Sequence, residues 1–183
     1  MARFFEQLPL IMYDIKGNDN WKLVPDIFRR VKISSKVKDN VTLLETYDVS
    51  DGEKPEDVAY KMYGNTELFW VVCMINNIEN PYYDWALSNI QFENYMIDKY
   101  DNVDAVHHYE KIQSSGPQIG AGPEDYSHMI ECNSTDAGAG PVTNFEYERR
   151  LQDKKRQIKL LSPKYVGLFV DEFKRLIKQW YGR

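Results

Sequence analysis

Three histidines and two cysteines are the residues of this 183-residue chain whose types suit acid–base, nucleophilic or metal chemistry. His107 and His108 are adjacent within Val103–Ile112 (VDAVHHYEKI), a run with partial strand alternation. Neighbours on a regular strand point to opposite faces, so this pair is not expected to ligate one ion from one side. His128 stands in a glycine-rich stretch with no spaced carboxylate pair beside it. Cys73 falls in an apolar helical pattern and Cys132 in a polar loop, settings too different for a disulfide framework or a zinc site. Cys73 reads as a buried, inert thiol. The acidic pairs Glu124-Asp125 and Asp171-Glu172 read as surface. No Gly-x-Ser-x-Gly, no His-Glu-x-x-His and no phosphate-cradling glycine loop is present. The expectation is therefore no catalytic residue, no metal, no cofactor and no enzymatic activity.

Aromatic content points elsewhere. Thirteen tyrosines, eight phenylalanines and four tryptophans make up 14% of the chain. Such residues fill cores and also anchor crowded protein interfaces. Charge is uneven: Glu146 to Arg183 holds 11 Lys and Arg against 5 Asp and Glu, a net +6 against −11 for the rest. That is an acidic body with a basic helical tail, suited to acidic partners or to a solvated helix face. It lacks the dense patch and reader of a nucleic-acid binder. No apolar run reaches the ~18 residues of a membrane span. Glu6 and Asp14 interrupt the start where a secretory apolar region would lie, so export is not expected.

The segment Leu43 to Asn77 is the best-patterned part of the chain. Tyr47 and Val49 alternate with Asp48 and Ser50, the period of a half-buried strand. Asp51-Gly52 marks a turn, Pro55 a helix start, and Glu56-Asp57 an acidic first turn. Val58, Ala59 and Met62 share a helical face, and Gly64 stands where a left-handed stop belongs. Thr66 is placed to cap a second helix with Leu68, Val71, Val72 and Ile75 inward, ending at Asn76-Asn77.

This order resembles the lysin motif (LysM), a β-α-α-β module. The matches are Tyr47, Val49, Gly52, Val58-Ala59, Tyr63-Gly64 and Ile75-Asn76. In sugar-binding members the two loops form a groove for N-acetylated glycans. Carried over, the resemblance puts Gly52, Glu53, Asn76 and Asn77 in those loops. Here Glu53-Lys54-Pro55 replaces the usual Asp-Thr-Leu, so the implied fold stands while sugar binding is weakened. A peptidoglycan- or chitin-binding module is the alternative function.

The flanks complete an α+β reading: a central LysM-like module with an extended N-terminal arm, a Gly-rich loop and C-terminal helices. Residues 1–42 form the arm, with a short helix at Pro25–Val31. Residues 43–90 form the module, and 91–113 a helix capped by Ser88 followed by a strand. Residues 114–143 form a Gly/Pro/Ser-rich loop, and 144–183 two helices. The first of these runs from an Asn144 cap through FEYERRLQDKKRQIKLL, and the second starts at Ser162-Pro163. On the last helix Tyr165, Leu168, Phe169, Phe173, Leu176, Ile177 and Trp180 make a stripe that needs covering, by the module or, preferentially, by another subunit. Phe28, Trp70, Tyr82, Tyr83 and Trp85 join them as candidate interface residues.

The whole arrangement, above all MYGNTELFWVVCMINNIENPYYDW and EYERRLQDKKRQIKLL, resembles the LysM-containing baseplate wedge proteins of contractile-tailed, T-even-type bacteriophages. That resemblance implies a structural protein of the virion tail baseplate, assembled in the host cytoplasm. Its partners would be wedge scaffold and sheath-initiator-like subunits and neighbouring wedges clamped around the hub, with no nucleic acid or membrane partner.

Overall fold

The computed structural model describes residues 4–28, 31, 43–112 and 129–178. It is a mixed α+β protein that divides into two compact units. Unit 1 comprises Met1–Ala86 and Lys155–Arg183, and unit 2 comprises Leu87–Lys154.

Unit 1 begins with a 3-10 turn (Phe4–Gln7) and a hairpin of β1 (Leu10–Tyr13) and β2 (Lys22–Pro25). Strand β3 (Leu44–Asp48) then leads to α1 (Pro55–Tyr63), a 3-10 turn (Thr66–Leu68), α2 (Phe69–Ile75) and the single turn α3 (Pro81–Asp84). Pro55 opens α1, and the Asp57 carboxylate accepts from the Lys54 N–H at 3.0 Å, satisfying a donor at the helix start. Gly64 ends α1 at φ 67°, a backbone that a side chain would strain. The next cap is Asn65 rather than Thr66: its side chain accepts from the Glu67 N–H at 3.0 Å.

After unit 2 the chain returns as β7 (Gln157–Leu161) and then α6 (Pro163–Lys178). Strand β7 pairs antiparallel with β3, from Leu44↔Leu161 to Asp48↔Gln157. The helices that follow β3 thus share their unit with a strand from much further along the chain. The helix expected to run through QIKLL stops at Arg156. Ile158 and Leu160 alternate inward along β7 while Gln157 and Lys159 face out, a period of two that packing on α1 and α2 rewards. The expected helix at Pro25–Val31 is absent from the described part of that span, Arg29 and Arg30 lying outside the described residues. Pro25 ends β2, and Ile27 and Phe28 lie in a turn.

Two buried clusters hold unit 1. In one, Val58, Ala59, Val72, Ile158 and Leu160 are sealed with Val49 and Trp85. In the other, Trp70 lies at the centre, its ring 4.7 Å from Phe173, 5.7 Å from Phe4 and 6.2 Å from Phe169. Trp70 Nε1–H meets no acceptor among the described residues, so packing alone holds that ring. Of the expected core, Val49, Val58, Ala59, Val71, Val72 and Ile75 are buried and Met62 and Leu68 pack at the margin.

Unit 2 holds α4 (Asn89–Lys99), β4 (Val106–Ile112), β5 (Met129–Cys132), β6 (Gly140–Thr143) and most of α5 (Asn144–Arg156). The sheet order is β5-β4-β6, antiparallel throughout. Two stretches of the expected loop at 114–143 are therefore strands. Ser88 caps α4 as expected, and Phe92 and Met96 are its buried positions. Helix α5 is capped by Thr143, whose Oγ1 accepts from the Glu146 N–H at 3.1 Å; Asn144 instead donates to the Asn102 carbonyl at 3.0 Å.

Two substitutions test this architecture. Val58→Asp places an unpaired charge in a sealed site and should unfold unit 1, seen as loss of the cooperative thermal transition. Asn76→Ala should cost about 1–2 kcal/mol in urea unfolding, because that amide bonds both peptide groups of Lys159 on β7. Native stability in either variant would show that the β7 closure is misassigned.

Candidate interaction surfaces

Two of the polar residues that the lysin-motif resemblance assigns to glycan loops, Glu53 and Asn76, are occupied within the fold. Glu53 is buried, and its carboxylate accepts from Tyr47 Oη at 3.0 and 3.1 Å, from the Ser50 N–H at 2.9 Å and from Lys61 Nζ at 2.6 Å. Its carbonyl accepts from Trp85 Nε1 at 2.7 Å, tying the loop to the ring that closes the core. Burial would push this carboxyl up, but the Lys61, Ser50 and Tyr47 hydrogen bonds outweigh it and hold the group below its usual range.

Asn76 is equally engaged. Its Nδ2 donates to the carbonyls of Val72 at 2.9 Å and Lys159 at 2.8 Å, and its Oδ1 accepts from the Lys159 N–H at 2.8 Å. Asn77 takes a left-handed φ of 56° to end α2, and Gly52 turns at φ 71°. The four loop residues singled out for glycans are thus turn formers and internal bonding groups.

The interface residues expected from sequence fall into three sets. Trp70, Trp85, Phe173 and Ile177 are core residues of unit 1, and Phe169 is half-buried against them. This corrects the expectation that the terminal helix waits for another subunit. Its inward face, Val166, Val170, Phe173 and Ile177, is covered by Leu8, Trp70, Val71, Ile75 and Leu161 of the same chain. A periodic stripe shows which side is apolar but not what covers it. Outward lie Phe28 at 85% exposure, Tyr82 at 90%, Tyr83 at 76% and Leu168 at 69%, with Tyr165 and Leu176 less so. Trp180 lies outside the described residues.

The N-terminal arm, expected to be apolar with Phe28 as an interface residue, carries an exposed apolar group that the sequence did not resolve into a hairpin. In the hairpin, Leu10 faces Pro25 and Met12 faces Leu23, so these four share one face. All four are exposed, while Ile11 and Val24 on the other face are half-buried. Ile15, Trp21, Ile27 and Phe28 extend the apolar surface at either end. The loop between the strands is ordered by Asp14, whose carboxylate gathers the N–H groups of Lys16, Gly17 and Asp19 at 3.1, 3.0 and 2.7 Å. The signal was an apolar tetrad, Leu10–Tyr13, and an apolar triplet, Leu23-Val24-Pro25, around a Gly-Asn-Asp-Asn turn. In unit 2, Ile90 and Ile97 are exposed seven residues apart on α4.

Unit 2 has two polar clusters of its own. Glu148 is buried and accepts from Lys99 Nζ at 2.6 Å, Tyr100 Oη at 2.8 Å and Tyr95 Oη at 3.3 Å. The other runs from His107 through His108 and Glu110 to Arg150 and Glu146. Adjacent His107 and His108 do meet, contrary to the strand-alternation expectation, because β4 is irregular between Val106 and His108. Among the described residues, no group of three or more His, Cys, Asp or Glu is placed to hold a metal ion. Cys73 is buried, and its thiol is pushed up to about 12 by that burial, which makes it inert. Among the described residues, no helix is long and apolar enough to cross a membrane.

Together these features define a small α+β protein whose candidate site is a set of outward apolar surfaces on a frame that engages the side chains of Glu53, Asn76 and Glu148 internally. Comparison with known proteins gives the family. Residues 2–115 match the family described as base plate wedge protein 53, and the chain belongs to that family. Baseplate wedge protein gp53 of Enterobacteria phage T4 is 28% identical over 196 residues, covering 98% of this chain and 96% of that protein.

Acid should destabilise unit 2 through the buried Glu148 and the half-buried Glu110. Burial pushes Glu148 up, but the bonds from Lys99 and the two tyrosines outweigh it and hold the carboxyl below its ordinary range. Glu110 is held down likewise, against its own burial, by Arg150 and His108. A depressed carboxyl stabilises the fold above its unfolded value of about 4.3, and that contribution is lost as pH falls through the lower folded value. Thermal melts followed by circular dichroism should therefore fall steeply below that point. Glu148→Gln should melt lower at neutral pH and show a shallower acid dependence; an unchanged acid dependence would refute the assignment.

Proposed function

We propose that this protein is a structural, non-catalytic component of a phage tail baseplate wedge, and that it joins wedge subunits through its exposed apolar surfaces. Membership of the wedge protein 53 family and full-length similarity to the phage T4 wedge protein support the baseplate role. The observation that carries the joining role is the N-terminal hairpin, whose Leu10, Met12, Leu23 and Pro25 share an exposed face flanked by Trp21 and Phe28. A two-stranded ribbon is marginal on its own, and exposed apolar patches of this kind mark protein contacts.

On this reading the partners are other wedge subunits, including scaffold and sheath-initiator-like proteins, and the protein clamps neighbouring wedges around the hub. It resides in the virion tail baseplate after assembly in the host cytoplasm. Unit 1 is read as a LysM-type β-α-α-β frame, with β3, α1 and α2 in one stretch and the closing strand β7 supplied after an insertion. Supporting this are the strand–helix–helix order, the Gly64 stop after Tyr63 and the antiparallel β3–β7 pair. The engaged Glu53 and Asn76 favour the frame's use as a scaffold over its use as a glycan site.

The test is assembly. Leu23→Ser with Phe28→Ser changes only exposed side chains, so the variant should melt like the parent yet fail to enter wedges on co-expression with the other wedge proteins. Normal incorporation would remove the hairpin as a principal contact. Titration calorimetry with N-acetylglucosamine oligomers should be flat; saturable binding would instead favour a carbohydrate-binding module.

A further inference from the structure

We propose that His107 and His108 form a two-imidazole binding site for a square-planar divalent transition-metal ion, of which Cu²⁺ is the tightest-bound member. Several observations converge on this pair. The irregularity of β4 between Val106 and His108 breaks the alternation that would send adjacent side chains to opposite faces. The rings consequently meet edge to face, and their Nδ1 atoms lie 2.8 Å apart. Two nitrogens in adjacent corners of a square plane, each about 2.0 Å from the ion, stand about 2.8 Å from one another. A tetrahedral ion with the same bonds needs roughly 3.3 Å, so the spacing suits Cu²⁺ or Ni²⁺ better than Zn²⁺.

The surroundings orient both rings. His108 Nε2 lies 2.9 Å from Glu110 Oε1, and a carboxylate can only accept, so Nε2 carries the proton and Nδ1 presents its lone pair. Glu110 is fixed in turn by Arg150 at 2.7 Å, and Arg150 also bonds Glu146. A carboxylate on the far nitrogen is the usual support of a metal-ligating histidine. The His107 ring stacks on Tyr147 with centroids 3.9 Å apart and planes 10° apart. His107 is exposed, which leaves the remaining corners of the plane open to water.

In the metal-free chain one proton lies between the two Nδ1 atoms. With His108 protonated at Nε2, that proton belongs to His107. Binding moves it to His107 Nε2 through solvent, so both Nδ1 atoms coordinate and neutral imidazoles release no net proton.

Titration of the full chain with Cu²⁺, followed by calorimetry and electron paramagnetic resonance, tests the site. Expected are one equivalent bound and a tetragonal signal split by two nitrogens. His107→Gln and His108→Gln should each abolish the two-nitrogen signal, and Glu110→Gln should lower affinity about tenfold or more. His128→Gln, the third histidine, serves as control and should leave both readouts unchanged. Circular dichroism melts establish that each variant remains folded; should either histidine variant unfold, the two-nitrogen splitting of the parent protein still decides. Absence of saturable binding, a one-nitrogen signal, or equal loss on replacing His128 would overturn the proposal.

Discussion

Everything in unit 1 depends on one long-range pairing, that of β3 with β7. Residues more than a hundred positions apart must meet before Val58, Val72, Ile158 and Leu160 can share a sealed core. Closing so long a loop costs conformational entropy, but the cost grows only with the logarithm of its length. An intervening unit with its own sheet and buried residues shortens the effective loop further. Asn76 reinforces the junction by bonding both peptide groups of Lys159, fastening the end of α2 to the returning strand.

The frame has little unused polarity. Glu53 joins strand, loop and helix through Tyr47, Ser50 and Lys61, while its carbonyl holds the Trp85 indole. Glu148 does the same in unit 2 through Lys99, Tyr95 and Tyr100. Buried carboxylates satisfied this fully fix local geometry. Outside this frame, Ile15 and Trp21 stand exposed on a turn whose backbone the Asp14 carboxylate orders.

Local signals carried the reading from Leu43 to Asn77 because each element there is punctuated. Pro55 starts a helix, Gly64 stops it, and Asn76-Asn77 ends the next. Ser88 was equally legible as a cap. The failures share a physical cause. QIKLL continues a helical charge pattern but is a strand because β3 lies beside it, a tertiary effect that no local propensity encodes. The stripe on α6 showed an apolar face, yet its cover, Trp70 and Leu8, comes from segments distant in sequence. Trp70 looked like an interface anchor for the same reason. The histidine pair was misjudged because an irregular strand position has no reliable sequence mark.

The split arrangement of unit 1 also sets a schedule for synthesis. Unit 2 is continuous in the chain and is complete once Lys154 has emerged, whereas unit 1 lacks its closing strand until Leu161 follows. At translation rates of ~5–20 residues per second, β3 and the helices after it wait on the order of ten seconds for their partner. Through that interval Val58, Val72 and Trp70 have no native cover on the β7 and α6 side. The nascent chain therefore carries β3, α1 and α2 without their closing strand for the whole time that the inserted unit is being made.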